Sequence, residues 1–389
     1  MAEARHRHDL DWLRVGAFSL LILYHIGMFY VSWDWHVKSP HAPVSWMETP
    51  MALTNVWRLP LLFFISGVAL AYAMDRYGAR NLLGRRIVVL LVPLLFGMYV
   101  VCAPQAWFEL TEKHGWDGSV RDFYRGYVDW PWASPEGWPI ITPTWNHLWY
   151  VLYVLVYSVV LILAGWAFGD RLRGGLARVA ALPGLLLIVP LVQIGLAALM
   201  NDSIGRAQTL WGDWYNLATS FLVMLLGFAV ATVPDFWARL RAGRLTALGA
   251  ALLLSVLVVV ARQSLPPTDV GLSAQFVLRI LQGWSVIWAL LGWGQVLLDR
   301  DGPVLRYCSA AVFTWYVLHQ TIIIAVGVPL GRLGWPLWAE AGALTLATIL
   351  LCFAGYHLVA RHMGRFGLLL GARNRPAFAR LRGDGRGLR

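Results

Sequence analysis

Ten times between residues 12 and 359 the chain runs through roughly twenty mostly apolar residues, the length a helix needs to cross the hydrocarbon core of a bilayer. These stretches lie at about 12–31, 55–73, 87–104, 145–165, 182–200, 215–232, 245–261, 276–298, 309–327 and 337–359. Hydrocarbon offers no water to backbone N–H and C=O groups, so such runs must close their hydrogen bonds within themselves, as helices. Only 14% of residues are charged, against about 25% in soluble proteins, which argues against a water-soluble core. The expected fold is therefore all-α, a polytopic membrane protein of about ten transmembrane helices. The fifth stretch, with Pro183 and Pro190, and the eighth, with Arg279, Gln282 and Gln295, fit least well. The first continues into YVSWDWHV without a small-residue cleavage site, which makes it a retained span rather than a signal peptide.

Charge then sets the orientation. The N-terminus, the even-numbered connections and the tail carry 23 of the 32 Lys and Arg residues. The positive-inside rule puts both termini in the cytoplasm. Residues 1–11 form a short basic cytoplasmic N-terminus, 12–360 a single membrane domain, and 361–389 a basic cytoplasmic tail suited to anionic lipid. The net charge of +11 is accounted for by these short inner connections, and no nucleic-acid partner is expected. Cys102, Cys308 and Cys352 all sit in apolar stretches, without the spacing of a disulfide scaffold or a zinc site.

The loops at about 32–54 and 105–144, placed outside the cytoplasm by this reading, are rich in Trp, Tyr and Pro. In the second, Glu109, Glu112, Asp117, Asp122, Asp129 and Glu136 outnumber Lys113, Arg121 and Arg125. Aromatic faces among carboxylates suit a sugar, whose rings stack and whose hydroxyls seek acceptors. For any single Trp among the 22, an interfacial aromatic belt accounts better than a sugar contact.

Ionisable residues inside the spans are candidates for function. Arg14 and His25 are eleven positions apart on the first stretch, about 20° beyond three full helical turns, so they share a face roughly 16 Å apart along the axis. Arg14 can also be read as a helix-end residue obeying the charge rule. Arg58 lies at the outer end of the second span and His147 at the outer start of the fourth. Tyr316 and His319, three apart on the ninth, share a face near mid-membrane, and His36 follows the first span in WDWHV. His319 alone fits a packing role as well as a functional one. Nothing among these residues has the spacing of a metal motif such as HExxH, and no Gly-rich phosphate loop or internal repeat is present.

LDWLR leading into Arg14-x10-His25, RLPLLFFISG with Arg58, Ser66 and Gly67, HLWYVLYVL from His147, and WYVLHQ with Tyr316 and His319 follow in order from about residue 10 to 325. In these motifs the chain resembles the acyltransferase-3 family of integral membrane O-acyltransferases. WDWHV, the arginine of RLPLLFFISG and the lack of an added soluble domain are most similar to its branch that succinylates periplasmic glucans.

The resemblance implies a multi-pass protein of a bacterial-type inner membrane that takes an acyl group, succinyl or acetyl, from cytoplasmic acyl-CoA. The group would go to a hydroxyl of a periplasmic glucan or other polysaccharide. Succinyl-CoA or acetyl-CoA is a co-substrate, and no tightly bound cofactor or metal is implied. His25 would be the general base, a task its ordinary pKa near 6.5 suits. Arg14 would act with it and, together with some of Arg76, Arg80, Arg85 and Arg86, meet the CoA phosphates. Arg58, His147, Tyr316, His319 and His36 would bind substrate, stabilise the oxyanion or hold a succinyl carboxylate. Partners are then acyl-CoA, the polysaccharide and the bilayer, with a homo-oligomer left open. A transporter or exporter of a sugar or lipid-linked intermediate fits the composition equally well. It lacks support from any paired broken helices or inverted repeat.

Overall fold

The computed structural model describes residues 6–129, 137–200 and 210–372. Every element among them is helical. Glu136, and the tail beyond residue 372 with its lipid-facing assignment, lie outside the described residues.

Helix α1 (His8–Tyr30) opens with Asp9 and Asp11 in its first turn, where carboxylates complement the positive end of the helix dipole. It is continuous, so Arg14 and His25 keep the shared face that their spacing implies. Helix α2 (Ser45–Tyr77) starts about ten residues before its apolar run. The early turns, Ser45 to Thr54, are too polar for hydropathy to register, and the stretch read as loop to residue 54 is helical from Ser45. Helix α3 (Ala79–Phe96) passes into a π-helical turn, Gly97–Val101. Helices α4 (Ala103–His114) and α5 (Val120–Tyr127) then occupy much of the second expected loop.

A 3₁₀ turn (Asn146–Leu148) leads into α6 (Trp149–Ala180), which breaks at Gly169, φ 51°, a conformation that glycine adopts at no steric cost. Helix α7 (Leu185–Leu199) has 15 residues. At ~1.5 Å per residue it reaches about 22 Å, short of a ~30 Å hydrocarbon core. Helix α8 (Trp214–Val230) and α9 (Pro234–Ala242) meet at a 106° bend. Four long helices complete the chain: α10 (Arg244–Ser264), α11 (Asp269–Leu297), α12 (Pro303–Gly331) and α13 (Leu337–Ala354), the last followed by a π-helical turn, Gly355–Ala360.

All ten apolar stretches are thus helical. Eight of the described helices are long and apolar enough to cross a membrane, nine if the bent pair counts as one span. Leu252, Leu253, Val256 and Val260 of α10 are exposed, an arrangement that water penalises and lipid does not.

The chain divides into two compact units. One comprises Met1–Ala17, Glu48–Arg86 and Tyr153–Leu305. Within it α2 and α8 touch backbone to backbone: a Cβ on Gly67 would sit 2.0 Å from the Met224 carbonyl oxygen, and one on Gly227 2.0 Å from that of Phe64. Arg7 grips the buried Asp9 with two hydrogen bonds of 2.8 and 2.6 Å and lies 3.9 Å over the Trp237 ring.

The other unit comprises Phe18–Met47, Ile87–Leu152 and Arg306–Arg389. A hydrophobic core in it joins Ile22, Ile26 and Phe29 of α1, Ile323 and Ile324 of α12 and Leu344 of α13. A smaller core joins Ala106 and Leu110 of α4 to Phe123 and Tyr127 of α5.

Candidate functional site

The second unit gathers His25, His147, Tyr316 and His319, which come from three separate stretches of sequence. His319 is fully buried on α12, and its Nδ1 lies 2.7 Å from the carbonyl oxygen of Tyr316, one turn back. A carbonyl only accepts, so this Nδ1 carries the hydrogen and, in the neutral ring, Nε2 carries the lone pair. His319 Nε2 is 2.9 Å from His25 Nδ1. His25 must then donate from Nδ1, which leaves the lone pair of its own ring on Nε2. A backbone carbonyl fixes the tautomer of one histidine, and that histidine fixes the next.

His147 stands edge-on to His319, ring centroids 4.9 Å apart. Its Nε2 donates to the Val317 carbonyl at 3.1 Å, and the Tyr316 hydroxyl donates to the His147 carbonyl. His147 and the Tyr316–Val317 stretch of α12 are thus clamped by two side-chain to backbone bonds running in opposite directions. Tyr316 is 1% exposed, and its hydroxyl serves this clamp. His147 Nδ1 is buried and has no hydrogen-bond partner among the described residues, so the site keeps one acceptor unspent.

A polar network carries these elements. Gln105 of α4 donates to Thr321 Oγ1 at 2.7 Å and accepts from Asn146 Nδ2 at 2.8 Å and Gln320 Nε2 at 3.1 Å. Thr321 in turn donates to the carbonyl of Val101, in the π-helical turn, at 2.6 Å. The side chains beside His147 and His319 in sequence are thereby tied to one fully buried glutamine.

The segment after α1 folds back over the end of that helix. Ser39 N–H donates to the Phe29 carbonyl at 3.0 Å and Val44 N–H to that of Tyr30 at 2.9 Å. Lys38 Nζ caps the carbonyls of Met28 and Val31 at 2.7 and 2.9 Å. Ser39 also donates to the buried carboxylate of Glu340 at 2.8 Å, and His41 Nε2 lies 3.2 Å from its other oxygen. Held this way, Trp35 stacks near-parallel to His25, 16° between planes and 6.4 Å between centroids. His36 Nδ1 pairs with Glu109 Oε2 at 2.5 Å. Lys113 lies 2.7 Å from Asp34 and holds that exposed carboxyl below the usual carboxylate range. Among the aromatic and acidic side chains of the two expected loops, the indole of Trp35 lies beside a histidine and the carboxylates of Glu109 and Asp34 are paired with bases.

The other expected residues belong to the first unit. Arg14 Nη2 pairs with Asp11 Oδ1 at 2.8 Å, one turn earlier on α1. Arg58 is 2% exposed and donates to Asn55 Oδ1 at 3.0 Å. Arg76 and Arg85 lie 5.5 and 4.9 Å from the Tyr77 ring centre, with Arg80 and Arg86 nearby in sequence. Trp35, Gln105, Asn146 and Glu340 join the site without a spacing or charge pattern that marks them individually in the sequence. The only signal for Gln105 and Asn146 was an amide at the edge of an apolar run.

The family described as "Acyltransferase domain" matches residues 7–357. Glucans biosynthesis protein C of Salmonella schwarzengrund (strain CVM19633) is 24% identical over 335 residues, which cover 83% of this chain and 84% of that protein. The proteins of the same name from Salmonella typhi and Salmonella typhimurium are 23% identical, with the same coverage. No solved structure matches the chain.

Proposed function

This chain belongs to the acyltransferase-3 family, and from that premise we propose that it moves an acyl group from cytoplasmic acyl-CoA to a hydroxyl of an extracytoplasmic glucan. Family and long apolar helices together make it a multi-pass membrane acyltransferase. The name of its relatives supports a glucan acceptor. Succinyl is the favoured group, with acetyl as the smaller alternative and the inner membrane as the site of action.

The observation that carries the reading is the chain from the Tyr316 carbonyl through His319 to His25. In it, His25 Nε2 takes the proton of the acceptor hydroxyl while that oxygen attacks the thioester carbonyl. The tetrahedral intermediate then collapses, the C–S bond breaks, and the CoA sulfur leaves as the thiol with the proton His25 had taken. His319 accepts from His25 Nδ1–H throughout, so the imidazolium forms without the ring having to turn. Trp35 offers a stacking face to a sugar ring, and the unspent acceptor on His147 is available to a donor hydroxyl. Arg14, on the same helix as His25, serves the donor phosphates with some of Arg76, Arg80, Arg85 and Arg86, and Arg58 suits the free carboxylate of a succinyl group.

Purified protein in liposomes, given labelled acyl-CoA and a glucan, tests this. Acylated glucan and released CoA are expected. His25→Ala should lower the rate by about 10²–10⁴-fold, the usual worth of a general base, while the protein inserts and elutes as wild type. Substantial turnover by that folded variant would remove His25 from the role. Movement of glucan without CoA release would mark a transporter instead.

A further inference from the structure

The first residues of α1 and the two before it bring two imidazoles and a carboxylate together: one ligand atom each of His6, His8 and Asp11 lies within 4.8 Å of the others. We propose that these three residues form a binding site for a divalent transition-metal ion of the zinc, copper and nickel class.

The local backbone favours such a site. Arg7, between the two histidines, is anchored by both hydrogen bonds to the buried Asp9 and by its seat over Trp237. The chain entering α1 is therefore fixed on either side of that anchor. His8 begins the helix and Asp11 stands three residues on, on the same face. His6 Nε2 is already 2.6 Å from Asp11 Oδ2, and the two imidazole rings lie 4.6 Å apart. Metal–ligand bonds of about 2.0–2.2 Å put donor atoms roughly 3.4 Å from one another in a tetrahedral site. The shift needed is small, and His6, whose side chain is 66% exposed, can supply it.

The donor set decides the class of ion. Two imidazole nitrogens suit zinc, copper and nickel, whereas magnesium and calcium select oxygen. Three protein ligands leave at least one position for water. Asp11 also pairs with Arg14 through its other oxygen, so an ion here changes the charge that faces Arg14. The site is independent of the acyl-transfer reading, and its test needs no turnover.

Tag-free full-length protein in detergent, titrated with Co²⁺, should develop a visible d–d absorption that saturates at one equivalent, with release of protons. Zn²⁺ should displace it and excess Mg²⁺ should not. Replacing both histidines (His6→Ala with His8→Ala) should weaken binding by at least about tenfold, since loss of even an outer partner of a ligand costs that much. Wild-type protein loaded with Cu²⁺ should show nitrogen hyperfine couplings in its electron paramagnetic resonance spectrum, a readout that requires no variant to fold. Absence of saturable binding, unchanged affinity in the double variant, displacement by Mg²⁺, or a copper spectrum without nitrogen coupling would each overturn the proposal.

Discussion

His319 decides which nitrogen of His25 can act, so its effect should fall on the chemical step rather than on binding. His319→Ala removes the acceptor for His25 Nδ1–H, frees the ring to turn and flip tautomer, and should lower kcat by roughly 10²-fold, the cost of a misplaced reacting group, with both KM values near wild type. In His319→Gln the amide oxygen can stand where Nε2 stood, and part of the rate should return. Equal loss in the two variants, or a change confined to KM, would mean that His319 only packs. This pair was half legible. Tyr316 and His319 share a face by spacing alone, but 294 residues separate His319 from His25, and a contact of that range leaves no periodic trace in the chain. The role of Tyr316 was not legible: the resemblance implies a substrate contact, whereas its carbonyl holds the His319 ring one turn on. Its hydroxyl, expected to meet substrate, is spent on the His147 carbonyl.

At the level of elements, Gly67 of the RLPLLFFISG motif acquires a physical reason. Its missing Cβ is what lets α2 reach the backbone of α8, with Gly227 doing the same from the other side. Because the obstacle is backbone, no rotamer change relieves it. Gly67→Ala should destabilise the protein by about 1–3 kcal/mol, the range for overpacked sites. Gly84→Ala, at a helical position with nothing within 4 Å of the new Cβ, should be neutral or stabilise by about 0.5–1 kcal/mol. Thermal unfolding of both variants in the same detergent compares them directly, and equal midpoints would refute the close-contact argument. Helix positions were legible because length and hydropathy dictate them. Helix ends were less so where polar turns precede an apolar run, as in α2. The bend after α8 is explained by local chemistry: Val233, before Pro234, is extended (φ −104°, ψ 95°), as the residue before a proline prefers.

For the molecule in the membrane, helix geometry and charge must agree on the number of crossings. Arginine clusters stand in the part of α6 beyond its break at Gly169, Arg171, Arg173 and Arg178, and across the end of α9 and the start of α10, Arg239, Arg241 and Arg244. The positive-inside rule puts both clusters on the cytoplasmic side, so α7 and α8 must cross as a pair or not at all. The nine spans counted with the bent pair and without α7 would leave one cluster outside. Helix α7 is short, but a bilayer thins around a short span at a cost of fractions of a kcal/mol per ångström, less than placing three arginines on the wrong side. We therefore expect ten crossings, with both termini inside. Single cysteines in a background lacking Cys102, Cys308 and Cys352 decide the matter, with an impermeant maleimide applied to intact spheroplasts. Asp117→Cys and Trp211→Cys should label at once, and Arg241→Cys only after permeabilisation. If Trp211→Cys stays protected like Arg241→Cys, neither α7 nor α8 crosses and the count is eight. If Arg241→Cys labels from outside, one of the pair fails to cross, and the charge argument that orients the whole chain fails with it.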